Sequence, residues 1–508
     1  MVARTYSYAL RGIEALEVEV EVDLSSGLPT FATVGLPDSS IRESKERVKT
    51  AIRNSGYSFP MQRITVNLAP ANIRKEGSGF DLPIAIGILA AMGIVPVERA
   101  ASVAMVGELS LDGRVKEVVG CLPMAIQASR DKKALLLPPS GARQAAVVKG
   151  IDIYRVDSLG QVVDFLNGAL KLTPLTLNID ELFAHPCTEE LNLRDVKGQE
   201  QAKRALEIAA AGYHNILLIG PPGSGKTMLA RRLPGILPPM TFEESLEVSE
   251  IFSVAGKLQD QVLITKRPFR APHHSISEAG LIGGGYMPRP GEVSLAHNGV
   301  LFLDELPEFR RNTLELLRQP LEDGEVTIAR AEVTLTYPAR FMLVAAMNPC
   351  PCGYYGDLAR PCTCTPHQIR RYRARVSGPI LDRIDLQIEV PTVAYSDLRC
   401  TGQGESSEVI RNRVIQARDI QLRRFQGQGI FFNAHMNQRQ IARYCALDSG
   451  SQALLEKATQ KLGLSARAYH RILKVARTIA DLENVSSIAP HHVLEAIQYR
   501  SLDRQVQW

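Results

Sequence analysis

An octapeptide at residues 220–227, Gly-Pro-Pro-Gly-Ser-Gly-Lys-Thr, constrains the fold of this chain more than any other segment. It fits the pattern G-x-x-x-x-G-K-[S/T] and lies between an apolar run at 214–219 and a helix-forming run at 228–233. Glycines let successive backbone N–H groups turn toward a polyphosphate, and a helix N-terminus adds a favourable dipole. The alternative is an ordinary glycine- and proline-rich turn from strand to helix, which these flanks disfavour. The octapeptide therefore predicts a nucleotide-binding loop within an α/β fold.

The pattern assigns roles to individual residues of the predicted site. Lys226 is expected to reach the β- and γ-phosphates, and the Thr227 hydroxyl to bind Mg²⁺. The apolar run 300–303 ends in Asp304, suited to hold Mg²⁺, and Glu305, suited to orient the attacking water. The alternative for this acidic pair is a helix N-cap after a buried strand. The predicted ATP and Mg²⁺ contacts are Gly220, Pro221, Pro222, Gly223, Ser224, Gly225, Lys226, Thr227 and Asp304.

Length and composition limit the remaining possibilities. A chain of 508 residues is too long for one ordinary core, so two or three domains are expected. The formal net charge is only +5, so a nucleic-acid partner would need a local basic surface. The longest apolar run, 82–97, is interrupted by proline and glycine and predicts a buried helix, with no membrane association. Eight cysteines without a secretory signal favour a reducing compartment, and we expect a cytoplasmic protein.

Three further segments resemble the AAA+ ATPases. Asn348 follows the apolar strand 341–347 and resembles sensor 1, which senses the γ-phosphate. The segment 377–385 resembles the arginine-finger region, with Arg383 as the finger; the alternative for Arg383 is an ion pair with Asp382 or Asp385 of its own subunit. Arg467 opens a long helix that resembles sensor 2. The resemblance implies catalytic roles for Glu305, Asn348, Arg383 and Arg467. A finger that acts on a neighbour also implies a ring, and the family expectation is a hexamer.

Two insertions resemble the helix-2-insert group of AAA+ proteins, which includes magnesium chelatase motor subunits and replicative MCM helicases. One contains the segments 267–275 and 280–285, and the other reads as a hairpin at 322–333. In that group the insertions project into the channel of the ring. His273 and His274 in the first insertion invite a metal site, but adjacent side chains point different ways, so a loop contact or packing role is the preferred interpretation.

The N-terminal region resembles the Lon protease domain, an S5-like α/β fold, in the segments 75–86 and 107–115. Lon proteases use a Ser–Lys dyad in which the amine activates the hydroxyl. The resemblance places Gly79 where the nucleophile belongs and Leu122 where the lysine belongs. Ser78 is one position away, and Lys116 lies about two helical turns from the lysine position. We therefore expect a proteolytically inactive scaffold, with a Lon-type protease as the disfavoured rival.

Four cysteines are grouped directly after Asn348, as Cys350-Pro-Cys352 and Cys362-Thr-Cys364. Four thiolates in two pairs suit a tetrahedral structural Zn²⁺ in a loop with little apolar core. The C-x-C spacing is tighter than the usual C-x₂-C, and unligated cysteines and redox use stay as alternatives. The isolated cysteines Cys121, Cys187, Cys400 and Cys445 are expected to be packing residues.

A basic stretch at 367–375 follows the cysteines. Its Arg370, Arg371 and Arg373 suit contacts with a phosphate backbone, and Arg330 at the tip of the hairpin is a similar candidate. The alternative for these arginines is a solvated basic face or a face between subunits. The candidate ligand is single-stranded or branched DNA.

Together these segments predict a multidomain α/β protein. Its parts are a Lon-protease-like (ribosomal S5 domain 2-like) α+β domain at 1–170, a linker at 171–190, an AAA+ core of the helix-2-insert group at 191–390 with a Cys-rich loop at 348–366, and a C-terminal helical lid at 391–508.

This order of domains resembles the bacterial ComM (YifB) family, which is magnesium-chelatase-like. The resemblance implies a hexameric, ATP-driven DNA helicase that promotes branch migration during homologous recombination in natural transformation. The alternative is a magnesium-chelatase-type motor that remodels a protein partner for metal insertion. Such a motor would not need the Lon-like domain or the basic cysteine loop.

Overall fold

The computed structural model describes residues 2–72, 74–184, 191–285, 288–330, 334–357, 360–393 and 404–500. The chain forms two compact units. The N-terminal unit comprises Met1–His185, Phe242–Thr265 and Pro288–Pro290, and the ATPase unit comprises Pro186–Thr241, Lys266–Met287 and Gly291–Trp508. Parts of each predicted segment lie outside the described residues: 1 and 73 of the Lon-like domain, 185–190 of the linker with Cys187, 286–287, 331–333 and 358–359 of the AAA+ core, and 394–403 and 501–508 of the lid with Cys400.

A seven-stranded mixed sheet organises the N-terminal unit. In sheet order its strands are Thr30–Val34, Arg63–Ala69, Glu14–Ser25, Val2–Arg11, Val103–Met105, Ala134–Leu137 and Ile153–Arg155. The second strand of the chain shows how its sequence sets this structure, because Val18, Val20 and Val22 are buried while the intervening glutamates face away from the core. The alternation of valine and glutamate is typical of an amphipathic strand with one buried face. A short hairpin, Glu108–Leu109 with Val115–Lys116, lies outside this sheet.

The helices of this unit are Ser39–Asn54, Asp81–Ala91, Val97–Ala101, Cys121–Arg130, Pro139–Ala145, Leu159–Asn167, Ile179–Ala184 and Phe242–Val254. Every residue of Asp81–Ala91 is buried, which fits a helix that is apolar all round and confirms the buried helix predicted here. No helix in the described part of the chain is long and apolar enough to cross a membrane.

The segment Phe242–Thr265 leaves the ATPase unit and completes the N-terminal core. Its helix Phe242–Val254 packs against Cys121–Arg130. The apolar cluster formed there includes Leu122 and Val147 from one side and Val262 and Leu263 from the other. This packing means that the N-terminal core is built from two separate stretches of sequence.

A five-stranded parallel sheet forms the centre of the ATPase unit. In sheet order its strands are Phe269–Arg270, Val300–Leu303, Met342–Met347, Ile216–Ile219 and Leu386–Glu389. A separate antiparallel hairpin pairs Glu325–Ala329 with Thr334–Pro338, where a hairpin was predicted. The strands 216–219, 300–303 and 342–347 are almost wholly buried, as expected for parallel strands with helices on both faces.

The helices of the ATPase unit are Glu200–Gly212, Lys226–Arg232, Glu278–Ile282, Glu292–Leu295, Arg311–Glu315, Arg318–Asp323, Pro366–Arg373, Gly378–Leu381, Ser407–Arg424, Gln438–Tyr444, Ser449–Leu462, Ala466–Leu482 and Pro490–Gln498. The last five share one hydrophobic core with the parallel sheet. In that core the rings of Tyr213 and Phe432 stack with centroids 4.6 Å apart. The helical character predicted for the C-terminal region is therefore confirmed.

Candidate nucleotide site and cysteine loop

Three neighbouring strands of the parallel sheet end at the predicted site residues. Gly220 follows Ile216–Ile219, Asp304 follows Val300–Leu303, and Asn348 follows Met342–Met347. Because parallel strands end at the same edge of a sheet, residues that are far apart in sequence meet there. The contacts of Lys226 and Thr227 bear this out in detail.

Lys226 is the buried centre of this edge. Its Nζ donates to the carbonyl oxygens of Gly220 and Pro221 at 2.8 and 2.9 Å and to Oδ1 of Asn348 at 3.2 Å. Burial lowers the pKa of this amine, and the charges of Asp304 and Glu305 act in the opposite direction. An ammonium held by neutral oxygens in this way suits the binding of an anionic phosphate.

The octapeptide can take its path only because its first residue has no side chain. A Cβ on Gly220 would lie 2.1 Å from the carbonyl oxygen of Val390, a backbone atom that cannot move aside. Gly225, at φ +90°, precedes the helix Lys226–Arg232 in a left-handed conformation that favours glycine. The loop therefore brings the lysine and threonine to the N-terminus of the helix.

Thr227 and Asp304 lie together, as the sequence predicts for two ligands of one metal. The Thr227 Oγ1 donates to Oδ2 of Asp304 at 2.6 Å. A hydroxyl and a carboxylate oxygen are the hard donors that Mg²⁺ prefers, beside waters and substrate phosphates. This donor pair fits a magnesium–nucleotide complex.

Glu305 has an unusual backbone and a partner that the sequence did not reveal. Its φ is +53°, a left-handed conformation that is uncommon for residues other than glycine and is concentrated at functional sites. Its Oε2 lies 3.3 Å from Nδ1 of His274. His274 follows the strand Phe269–Arg270, which neighbours Val300–Leu303 in the sheet, so only the strand order could have signalled the contact. The loop contact preferred for this histidine is thus present, and its partner is the proposed catalytic carboxylate.

Gln199 is a second residue that the sequence did not single out. Its Nε2 donates to the backbone oxygens of Ser224 at 2.5 Å and Pro391 at 3.3 Å. Gln199 itself has φ +57°. It braces the octapeptide from the segment that precedes the ATPase helix Glu200–Gly212.

Arg383 and Arg467 share a carboxylate away from the octapeptide. Arg383 donates to the carbonyl of Pro379 at 2.8 Å and pairs with Glu322, whose other oxygen lies 4.0 Å from Arg467. Within the described residues neither arginine has a hydrogen bond or ion pair with residues 220–227. The intrasubunit pair considered for Arg383 therefore exists, but its partner is Glu322 and neither Asp382 nor Asp385.

Asp385 is instead the centre of a buried polar cluster. It pairs with Arg471, lies 3.3 Å from Nδ1 of His214, and accepts from the backbone N–H of Asn215 at 3.2 Å. His214 also contacts Oγ1 of Thr478 at 2.8 Å. This cluster joins the start of the strand Leu386–Glu389 to the helix Ala466–Leu482.

The four clustered cysteines converge as predicted. Their sulfur atoms all lie within 4.8 Å of one another, with Cys350 Sγ 3.3 Å from Cys352 Sγ and 3.7 Å from Cys362 Sγ. Four sulfurs at about 2.3 Å from a tetrahedral zinc would lie about 3.8 Å apart. Backbone N–H groups, led by that of Tyr354, lower the pKa of Cys352 to about 5. The donor set and spacing therefore fit Zn²⁺.

The basic stretch divides into exposed and packed arginines. Arg370 and Arg371 are exposed on the helix Pro366–Arg373, and Arg330 is exposed at the end of the strand Glu325–Ala329. Arg373 is half-buried, because its Nε donates to the carbonyl of Pro349 at 2.8 Å and its guanidinium lies over the ring of Tyr355. Arg373 is therefore less exposed than Arg370 and Arg371, and a DNA contact for all three stays a prediction.

The N-terminal unit shows what occupies the positions of a Lon-type dyad. Leu122 is fully buried in an apolar cluster. A Cβ on Gly79 would lie 3.0 Å from Val106 Cγ1, so this position has little room for a side chain. The Ser78 hydroxyl donates to the carboxylate of Glu108. The inactive Lon-like scaffold stays a prediction.

Comparison with protein-family models gives three matches along the chain. Residues 192–398 match the family described as "Magnesium chelatase, subunit ChlI". Residues 20–141 match "Subunit ChlI of Mg-chelatase", and residues 404–500 match "Magnesium chelatase, subunit ChlI C-terminal". The matches span both the parallel sheet with its candidate site and the C-terminal helices.

Curated relatives match the chain over nearly its whole length. The chain is 48% identical to "Competence protein ComM" of Haemophilus influenzae, over 99% of this chain and 98% of the relative. It is 46% identical to YifB of Salmonella typhimurium, over 99% and 97% of the two chains, and 45% identical to YifB of Escherichia coli, over 98% and 97%. The "Magnesium-chelatase 38 kDa subunit" of Rhodobacter capsulatus is 26% identical over 59% of this chain and 83% of the relative.

Proposed function

This chain belongs to the ComM/YifB family of magnesium-chelatase-like AAA+ proteins, and from that premise we propose that it is an ATP-driven, ring-forming DNA motor. Family membership supports an ATPase that uses ATP and Mg²⁺. The name of the Haemophilus relative points to competence, and hence to a role connected with DNA. The observation that carries the proposal is the 48% identity to that relative along the full chain.

In the proposed mechanism Lys226 holds the phosphates, while Thr227 and Asp304 hold Mg²⁺. When bound, the metal would neutralise phosphate charge. Glu305 orients the attacking water, and Asn348, which already contacts Lys226 Nζ, reports the state of the γ-phosphate. These roles are supported by the convergence of the side chains at one edge of the sheet.

Arg383 acts as the finger of a neighbouring subunit's site, and Arg467 acts from the C-terminal helices. The 62% exposure of the Arg467 side chain supports such a role. Arg383 must exchange Glu322 for a phosphate in the neighbour. The proposal therefore includes a homo-oligomeric ring, with a hexamer as the expected form.

The remaining finer assignments follow the same proposal. Cys350, Cys352, Cys362 and Cys364 hold a structural Zn²⁺. The N-terminal unit is a Lon-like scaffold without protease activity. The helix-2-insert-type insertions are the segments 267–275 with 280–285, and 322–333. Arg330, Arg370, Arg371 and Arg373 contact the DNA backbone. Movement of the subunits through binding, hydrolysis and release of ATP drives branch migration during homologous recombination and natural transformation.

A four-strand branch-migration assay with and without ATP tests the proposal. We expect ATP-dependent strand exchange and an ATPase rate that rises with branched DNA. Joint Arg370→Ala and Arg371→Ala replacement is expected to weaken DNA binding and to lower its dependence on salt by about one phosphate contact per arginine. Arg439→Ala, also an exposed helical arginine, is the matched control. DNA that neither binds nor stimulates the ATPase would refute the DNA motor.

A chelatase-type motor is the second candidate, because all three family-model matches bear that name. Its magnesium-chelatase relative of Rhodobacter covers a smaller share of the chain at lower identity than the ComM relative does. ATP turnover that ignores DNA but rises with a protein partner would favour this candidate.

A further inference from the structure

The cysteine loop touches the nucleotide-binding octapeptide at one tight contact. Gly353 directly follows Cys352, and a Cβ at Gly353 would lie 2.4 Å from Cδ and 2.7 Å from Cγ of Pro222. Real Cβ atoms essentially never come this close, so a side chain at 353 and the present position of the Pro222 ring exclude each other. The N–H of Gly353 donates to the carbonyl of Cys350 at 3.0 Å, which fixes the glycine within the cysteine turn.

The cysteine loop is also anchored beside Lys226. Asn348, which accepts from Lys226, lies two residues before Cys350. The next residue, Pro349, accepts from Arg373. The start of the loop is therefore held by the helix Pro366–Arg373, which follows the second pair of cysteines.

The thiols connect the two ends of this loop. Cys362 Sγ lies 3.7 and 3.5 Å from the sulfurs of Cys350 and Cys352, and the N–H of Cys352 donates to Cys364 Sγ at 3.3 Å. A group that bound all four sulfurs would thus fix the turn that contains Gly353. If Cys362 and Cys364 moved away from Cys350 and Cys352, the turn that contains Gly353 would lose this constraint.

We propose that the four-cysteine cluster sets the affinity of the nucleotide site through the contact between Gly353 and Pro222. This inference rests on the proposed function of the octapeptide as an ATP site and of the cluster as a zinc site. When one metal ion binds all four sulfurs, Gly353 packs against Pro222 and holds the octapeptide in the conformation that binds phosphate. When the two pairs of cysteines separate, the octapeptide loses its packing against Gly353, and its affinity for nucleotide falls.

Nucleotide binding by the full chain tests the contact directly. Titration calorimetry with ADP and Mg²⁺ would give the Kd of wild type, Gly353→Ala and Gly356→Ala. Gly356 is the matched control, because it lies in the same loop at φ +83°, close to the +86° of Gly353, but an added Cβ meets nothing within 4 Å. We expect the Gly353 variant to raise the Kd about tenfold, within the range of coupling between contacting residues. The Gly356 variant should stay within about twofold of wild type.

A compensating substitution separates the contact from general damage to the loop. Pro222→Ala removes the Cγ and Cδ atoms that a Cβ at 353 would strike. In the Pro222→Ala background, Gly353→Ala should raise the Kd for ADP by no more than Gly356→Ala raises it. Equal Kd values for the two glycine variants in the wild-type background, or an undiminished loss in the Pro222→Ala background, would overturn the inference.

Removal of the metal provides the second arm. Zinc content, measured by mass spectrometry, is expected to be one ion per chain in wild type and in both glycine variants. Removal of zinc with a chelator should raise the Kd for ADP of wild type. It should raise the Kd of Gly353→Ala much less, because the added Cβ already disrupts the packing between residue 353 and Pro222. An ADP Kd that is unchanged by zinc loss in wild type would overturn the inference alone. A wild-type chain that binds no nucleotide would overturn the proposed ATP site as well.

Discussion

Replacement of Asp385 by alanine is expected to destabilise the ATPase unit by about 3–5 kcal/mol, the usual cost of breaking a buried ion pair by removing one partner. Asp385 is 5% exposed and His214 is fully buried, so water cannot replace the lost carboxylate. The substitution leaves Arg471, His214 and the N–H of Asn215 without their acceptor. At about 2 °C per kcal/mol for a unit of this size, the melting temperature should fall by about 6–10 °C.

The dependence on pH gives this prediction a sign. Burial opposes ionisation of Asp385, but the charge of Arg471 and the hydrogen bond with His214 outweigh it, so the pKa of this carboxyl lies well below its usual 3.8. A depressed pKa in the folded state means that the charge stabilises the protein above the unfolded pKa. The difference in stability between wild type and Asp385→Ala should be constant from about pH 7 to pH 5 and should narrow as the pH falls below about 4.

Differential scanning calorimetry across this pH range is the assay, with Asp382→Asn as the control. Asp382 lies three residues away, on the other side of Arg383, and is only partly buried. Its replacement should shift the melting temperature by less than about 1 °C, since surface substitutions rarely exceed about 0.5 kcal/mol. A loss of less than about 1 kcal/mol in Asp385→Ala would refute the reasoning that the ion pair is uncompensated. If the difference in stability between wild type and Asp385→Ala increased on acidification, the assigned direction of the pKa shift would be wrong.

Three further predictions concern the nucleotide site. Lys226→Ala should abolish binding of ATP in a fluorescence titration, whereas Glu305→Gln should bind ATP but not hydrolyse it; wild-type turnover by either variant would contradict these roles. His274→Ala should lower kcat by up to about fivefold and leave the Kd for ATP unchanged. The reason is that its contact with Glu305 joins two partly exposed groups, and such a contact contributes about 1 kcal/mol or less. His274→Asn should recover part of the lost rate. Arg383→Ala should reduce ring ATPase activity by about 10³-fold or more, with ADP affinity and oligomeric state preserved; a loss explained by disassembly in light scattering would contradict a finger role.

Much of the candidate site could be predicted from the sequence because each residue follows a buried strand. Lys226 was predicted from the octapeptide, Asp304 from the acidic end of an apolar run, and Asn348 from its resemblance to sensor 1. The C-x-C pairs were equally readable, since their spacing alone limits where the sulfurs can lie. These predictions depended on local patterns that survive in any fold of the same topology.

The partners of these residues could not be predicted, because they depend on packing between distant segments. Nothing in the sequence near His274 indicates that it contacts Glu305, thirty-one positions away in numbering. Glu322 lies on a short helix and becomes the partner of Arg383 only through the tertiary fold. The return of Phe242–Thr265 to the N-terminal unit was likewise hidden, because an amphipathic helix does not specify which core it completes.

Because Phe242–Thr265 is part of the N-terminal unit, the structure limits how the gene can recombine with other genes. Domains that are joined by a single linker can be exchanged between genes by one crossover, but this N-terminal core includes residues encoded downstream of the octapeptide. A crossover near codon 190 would place Val262 and Leu263 against an unrelated surface in place of Leu122 and Val147. Each such event would expose apolar area or demand new complementary residues at once. The gene is therefore expected to descend as one block, in keeping with relatives that match it from end to end.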